Sequence, residues 1–324
     1  MKTKILLICL MTFSLIVCGQ SDNKHYFKPL WKVGEKKTMT ISDETTRYES
    51  DSIISHETER ITSVIEVIKE DRDSYYITLN YQNVFLKAFK KAFETLNDDL
   101  PPAYQYINLK YKVSKADGKS ELLNSKEARD FIYDNYEKLK QLAEVKNPGS
   151  KDIVDLLFSP FKEIFKDKKS TEAYFGKEIG YILFPFGKNY SIGDTLHWTE
   201  SAKNPFGKND NDSISSTTYS YISDVNKTTS TCTINSILIL DLSEFTKMMK
   251  QIIQKMTKKT KAKDAGEEKS KELDDIIIDM EFKETLTFNY STTWTSKVTQ
   301  NIVTIMKSPT KNSKSYSNKT VLIN

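Results

Sequence analysis

What most constrains this chain is a period-two alternation of apolar and polar residues that recurs along its length. It is plain in Thr62-Ser63-Val64-Ile65-Glu66-Val67-Ile68 and in Tyr76-Ile77-Thr78-Leu79-Asn80-Tyr81. Successive strand side chains point to opposite faces, so such runs make antiparallel strands with one buried and one wet face. The charged run 69–73 between them is the turn. A further strand is expected over 104–113, returning through 121–123 after Asp117-Gly118, where the glycine supplies the positive φ of a tight hairpin. The same alternation predicts strands over 195–202, 213–223, 229–240, 276–290, 293–306 and 316–323.

Between these runs the period becomes helical. Asn124 with Glu127 resembles a capping box, and Ala128, Phe131, Ile132, Tyr136, Leu139 and Leu142 follow on one face until Asn147-Pro148-Gly149. A second helix over 152–165 carries Ile153, Leu156, Leu157, Phe161, Ile164 and Phe165, with Pro160 expected to kink or divide it. A third runs from Thr171 to about 183, before Pro185. A fourth, at about 243–259, sets Leu242, Phe245, Met248, Met249, Ile252, Ile253 and Met256 against Lys247, Lys250, Lys255, Lys258 and Lys259. Three meanings compete for it: a core helix closing the sheet, a basic surface resting on anionic lipid or a partner, or a movable lid over an apolar cavity. Residues 85–96 fit a helix or an apolar loop, and the charged stretch 261–272 reads as a solvated loop. The expected architecture is α+β: a strongly curved, half-barrel-like antiparallel β-sheet with amphipathic helices packed on its concave face. It forms a single large domain over 20–324, strand-rich over 31–123, helical over 124–184 and strand-rich again over 190–324.

Lys2 and Lys4 precede an apolar run from Ile5 to Val17, with small or polar residues at Cys18, Gly19 and Gln20, which is the order of a secretory signal peptide over 1–19. The run is shorter than the roughly 20 residues a membrane-spanning helix needs. Cleavage after Gly19 gives an exported soluble protein. In the competing reading, Leu15-Ile16-Val17-Cys18 is a lipobox and Cys18 carries the acyl chains of a lipoprotein, tethered to the outer membrane. Either way the destination is the periplasm or the cell surface. Of three cysteines only Cys232 lies beyond the leader, in an alternating run, where it reads as a small core residue. The chain carries 48 Lys and Arg against 44 Asp and Glu, so losing Lys2 and Lys4 leaves a net charge of about +2, a balance that argues against nucleic acid.

Trp31-Lys32-Val33-Gly34-Glu35 and Tyr190-Ser191-Ile192-Gly193-Asp194 repeat an aromatic, a β-branched residue, a glycine and an acid in one register, each just before a strand, with Met39-Thr40 and Trp198-Thr199 at matching offsets. The glycine suits a bend at the entrance to a sheet and the acid can hydrogen-bond the turn. The Trp31 turn, the Thr-rich strands, the Asp117-Gly118 hairpin, the Asn124-capped helix, and Phe184-Pro185-Phe186 leading to Ile192-Gly193-Asp194-Thr195 and Trp198 together resemble a family of exported Bacteroidota proteins of unknown function. That resemblance implies no catalytic residues. The layout is also distantly similar to periplasmic lipoprotein and lipid carriers, which implies an apolar ligand held between sheet and helices.

Chemistry of other kinds has little support. His25, His56 and His197 have no metal-type ligand at usable spacing, no cofactor motif is present, and Asp98-Asp99 and Asp274-Asp275 are adjacent carboxylates that a strand would point to opposite faces. Ser52 and Ser213, in Asp-Ser-apolar triplets, match a short O-glycosylation pattern. The expected function is therefore a non-enzymatic cell-envelope protein that binds a lipid or acyl chain through Phe131, Leu139, Leu157, Phe161, Phe245, Met249, Ile252 and Met256, touching membrane only peripherally or through an anchor. An adaptor that binds an envelope protein partner, and third a hydrolase, are the alternatives.

Overall fold

A computed structural model describes residues 24–82, 102–146, 148–203, 213–243, 246, 277–307 and 312–324. The signal-peptide, Cys18, 85–96, Asp98-Asp99, 261–272 and Asp274-Asp275 readings fall outside these residues, as do Phe245, Met249, Ile252 and Met256.

Strands dominate. In chain order they are β1 Lys24–Tyr26, β2 Lys36–Glu49, β3 Ser52–Glu70, β4 Ser74–Gln82, β5 Tyr106–Ser114, β6 Ser120–Leu122, β7 Asn189–Ser191, β8 Leu196–Lys203, β9 Ser213–Asn226, β10 Thr231–Leu240, β11 Ile277–Asn289, β12 Trp294–Lys307 and β13 Asn312–Ile323. The helices are α1 Pro102–Gln105, α2 Ser125–Lys146, α3 Lys151–Ile164 and α4 Lys168–Leu183. Eleven strands form one antiparallel sheet in the order β6-β5-β4-β3-β2-β13-β12-β11-β10-β9-β8, and β1 pairs with β7 beside it. Alternation behaves as the pattern demands: Tyr75, Ile77, Leu79 and Tyr81 of β4 and Ile107, Leu109, Tyr111 and Val113 of β5 are all buried on one face.

The α+β expectation fails. Among the described residues the chain is mostly β, its sheet is open with β6 and β8 as unjoined edges, and the helices do not form a second layer over a half-barrel. Two physical causes account for this. Much of the apolar surface of the helices is spent on other helices: Tyr136 stacks on Phe158 at 4.1 Å, and Phe165 meets Tyr174 at 4.8 Å and Phe175 at 5.9 Å. The sheet is also far longer than the helices. The 19 residues of β3 span roughly 60 Å at 3.3 Å per residue, and the inward positions change character along the strands. In β2 they pass from Met39 and Ile41 to Asp43, Thr45 and Arg47, and in β13 from Ile323 and Val321 to Lys319, Ser317 and Ser315. The helices cover the apolar stretch only.

Several local expectations are also revised. Residue 160 does not break α3, which runs continuously over 151–164. α4 starts before Thr171, because Asp167 in extended conformation accepts the Ser170 amide at 2.8 Å and caps it. Asn124 spends its side chain on the sheet: its Oδ1 accepts the Lys110 amide at 2.9 Å and its Nδ2 donates to the Asn108 carbonyl at 2.9 Å, while also reaching Glu127 at 3.1 Å. The repeated turns hold, with φ of 88° at Gly34 and 89° at Gly193. Glu35 accepts from the Lys32 amide at 2.9 Å and from Trp294 Nε1 at 3.1 Å, and Trp294 stacks on Trp31 at 4.9 Å.

Candidate functional site

Six polar residues cross the inner face of the sheet in register: Asp43, Lys319, Gln300, Glu284, Ser236 and Ser220, on β2, β13, β12, β11, β10 and β9. On each strand this position belongs to the buried set, as in Ile278-x-Met280-x-Phe282-x-Glu284-x-Leu286-x-Phe288. Polar groups there need partners, because burying them bare is costly. Gln300 Nε2 donates to Glu284 at 2.6 Å, Ser236 to Ser220 at 3.1 Å and Ser317 to Asp43 at 2.9 Å, and Lys319 lies 3.7 Å from Asp43.

Over this belt the C-terminal part of α4 and the segment after it enclose a cleft of about 500 Å³. Its walls mix apolar Tyr181, Phe184, Trp198, Leu238, Phe282 and Leu286 with charged Lys177, Lys188, Lys319, Glu200 and Glu284. The segment is fixed by two interlocked turns. Gly118, at φ 69°, lies so close to Phe186 that a Cβ there would sit 2.6 Å from the Phe186 Cβ, and a Cβ on Gly187, at φ 72°, would sit 2.5 Å from the Asp117 carbonyl oxygen. Only glycine satisfies both the backbone angle and the approach at these two points. The next residue is Lys188.

Lys188 Nζ donates to the Phe184 carbonyl at 2.9 Å and lies 3.7 Å from the Phe184 ring centroid and 4.4 Å from that of Trp198. Burial pulls its pKa down to about 8, against the opposing pull of Glu200 and Glu284. Burial pushes the Glu284 carboxyl up, with the Gln300 hydrogen bond and Lys188 acting the other way. Glu178, two residues before Gly180 on α4, is likewise raised by burial against Lys319 and Lys177. Acids held above and an amine held below their ordinary values mark a place where both signs of charge are poorly solvated. It can bind a ligand that has apolar surface and polar ends.

Of the residues expected from sequence to line a ligand site, the described ones, Phe131, Leu139 and Phe161, do not line this cleft. Leu139 is fully buried in the core, Phe161 is partly buried against it, and Phe131 lines a separate polar depression with Asn108, Asp130 and Asp134. The side chain of Leu157 lies outside the described residues, as do the four positions of the expected fourth helix. Sequence reasoning missed Lys188, Trp198, Glu284 and Gln300. A signal for two of them was present: Glu284 and Gln300 interrupt the apolar register of adjacent strands, as Ser236 does between Ile234 and Leu238. Cys232 is buried beside Ile234, and burial pushes its thiol up to about 12, as suits a packing residue. The histidines are scattered: His25 stacks on Phe27, His56 lies 3.0 Å from Thr46 Oγ1, and His197 stacks on Tyr219.

No protein-family model matches the chain, and no curated protein matches it. Among solved structures, similarity is found to a protein of Bacteroides fragilis described as exported and of YmcC-like fold, at 7% identity over 90% of this chain and 97% of that one, with a TM-score of 0.24. Ail, the attachment invasion locus protein of Yersinia pestis, matches at 5% identity over 90% of this chain and 100% of that one, with a TM-score of 0.14. An outer membrane channel of Pseudomonas putida F1 matches at 6% identity over 92% and 98%, with a TM-score of 0.17.

Proposed function

We propose that this protein is exported to the cell envelope and holds an amphiphile, a lipid or an acylated chain, between α4 and the inner face of the sheet. The observation that carries this is the cleft of about 500 Å³ in which Phe184, Trp198, Phe282 and Leu238 share walls with Lys188, Gln300 and Glu284. Apolar walls with a few convergent polar groups are the usual make-up of a small-molecule site. Export rests on the leader pattern of residues 1–19. The test is native mass spectrometry of residues 20–324 purified from a bacterial periplasm, followed by solvent extraction. A stoichiometric adduct that denaturation releases, and that Phe282→Asp abolishes in a protein of unchanged circular dichroism, is expected. A bare mass from well-folded protein, unchanged on adding lipid extract, rejects the reading.

A second reading, an adaptor for an envelope protein, draws on the opposite face of the sheet. There Tyr219, Tyr221, Ile237 and Ile239 are exposed side by side on β9 and β10. Loss of a co-purifying envelope protein on Ile239→Lys, with lipid content unchanged, would favour it.

A further inference from the structure

We infer, resting on the amphiphile reading, that the ligand has a zwitterionic head, with an anionic group and an ammonium group close together, as in a phosphoethanolamine lipid. The cleft is walled by both signs: Lys177, Lys188 and Lys319 against Glu200 and Glu284. The two signs alternate along one row, from Asp43, 3.7 Å from Lys319, through Lys319 to Glu284. Lys319 and Glu284 lie two strands apart in one row with Gln300 between them, a separation of about 10 Å across the sheet. Lys188 reaches the same row from the other wall, where Glu284 and Glu200 act on it. Lys188, Lys319 and Glu284 are all partly buried.

This arrangement discriminates by what each head leaves unpaired. A purely anionic head satisfies Lys188 and Lys319 but is brought against Glu284, whose charge burial already disfavours. A purely cationic head suits Glu284 and meets three lysines. An uncharged head strips water from Lys188 and Glu284 and returns nothing, and removing solvent from an unmatched charge is the larger cost in each case. A head with both charges pairs its anion with Lys188 and Lys319 and its ammonium with Glu284 and Glu200. The Gln300 amide, bonded at 2.6 Å to Glu284, fixes the direction of that carboxylate.

The experiment measures binding to delipidated full-length protein by isothermal titration, using short-chain lipids of identical acyl length. The probes carry a phosphoethanolamine, a phosphoglycerol or an uncharged glycerol head, and free phosphoethanolamine is a fourth. The phosphoethanolamine lipid is expected to bind at least about tenfold tighter than the other two lipids, and the free head group not measurably. Glu284→Gln, nearly isosteric, should erase most of its advantage over the phosphoglycerol lipid. Lys188→Met should weaken both phospholipids while sparing the uncharged one. Equal binding of the three lipids, or a preference for the anionic one that Glu284→Gln leaves unchanged, overturns the head-group inference and leaves amphiphile binding standing. Binding of free phosphoethanolamine as tight as the lipid, or no binding of any probe, overturns the amphiphile reading itself.

Discussion

Lys188 enters its cleft as an ammonium that its surroundings solvate poorly. Its pKa is about 8 in the folded protein against 10.5 ordinarily, so between those values the unfolded chain binds more protons than the folded one. Stability therefore rises with pH from about 8 to about 10.5, and the whole cost of burying the charge is felt below about 8. Lys188→Met should accordingly be more stable than the parent at pH 7 by on the order of 1–3 kcal/mol, with the difference shrinking towards pH 10.5. Urea midpoints at the two pH values check this, and a difference that does not change with pH refutes it. One residue earlier, Gly187→Ala would place a methyl group against the Asp117 carbonyl oxygen at a positive φ. A loss of about 2–4 kcal/mol is expected, combining backbone strain with forced separation of the two turns. The same change at Gly34, where a Cβ meets nothing within 4 Å, should cost only about 1 kcal/mol.

Elements were legible in proportion to how local their causes are. Alternation over 76–81 marks β4 because side-chain direction in a strand is set residue by residue, the strands expected over 213–223 and 316–323 are found within longer ones, and that expected over 293–306 is found at 294–307. Helix ends were less legible. Asp167 caps α4 through the Ser170 amide, a signal four residues from the expected start. At Asn124 the residue type was right and Glu127 is one partner, but the asparagine also stitches the start of α2 to β5 through Lys110 and Asn108, a contact between elements that spacing within one element cannot reveal. Asn124→Ala should thus cost about 1–2 kcal/mol and loosen α2 from the sheet. Faster amide exchange at Lys110 would show it, whereas a cost confined to the first turn of α2 would restore the capping explanation. The cleft was half visible. Glu284 and Gln300 break an apolar register that can be read in one dimension, but the approach of Lys188 depends on the meeting of Gly118 with Phe186 and of Gly187 with Asp117, nearly 70 residues apart, which no local pattern encodes.

At the scale of the whole molecule, the apolar stripes of the helices did not determine what they would cover. Stripes at 3.6-residue spacing demand burial without naming a partner, and here Tyr136, Phe158, Phe165 and Tyr174 largely find one another. An open sheet of eleven strands thus took the place of the expected half-barrel beneath a helical layer. Its connectivity has a further effect. Strands β2–β6 and β8–β13 are each built from successive neighbours, and the sheet joins them only where β13 pairs with β2, from Ser313 against Glu49 to Ile323 against Met39. Ser317→Pro, in the middle of that pairing, removes a backbone donor from a central strand and should cost more than about 3 kcal/mol. Limited proteolysis should then release the two halves separately, and a single uncut core would contradict this. The seam joins residues some 270 positions apart in sequence, so closing it demands the greatest loss of chain entropy in the sheet and should be among the last events of folding. Until its final dozen residues arrive, the long first strand of the N-terminal half presents a bare edge, ready to pair with any extended chain it meets. Under the export proposed above, that interval is the time at which a chaperone would matter most.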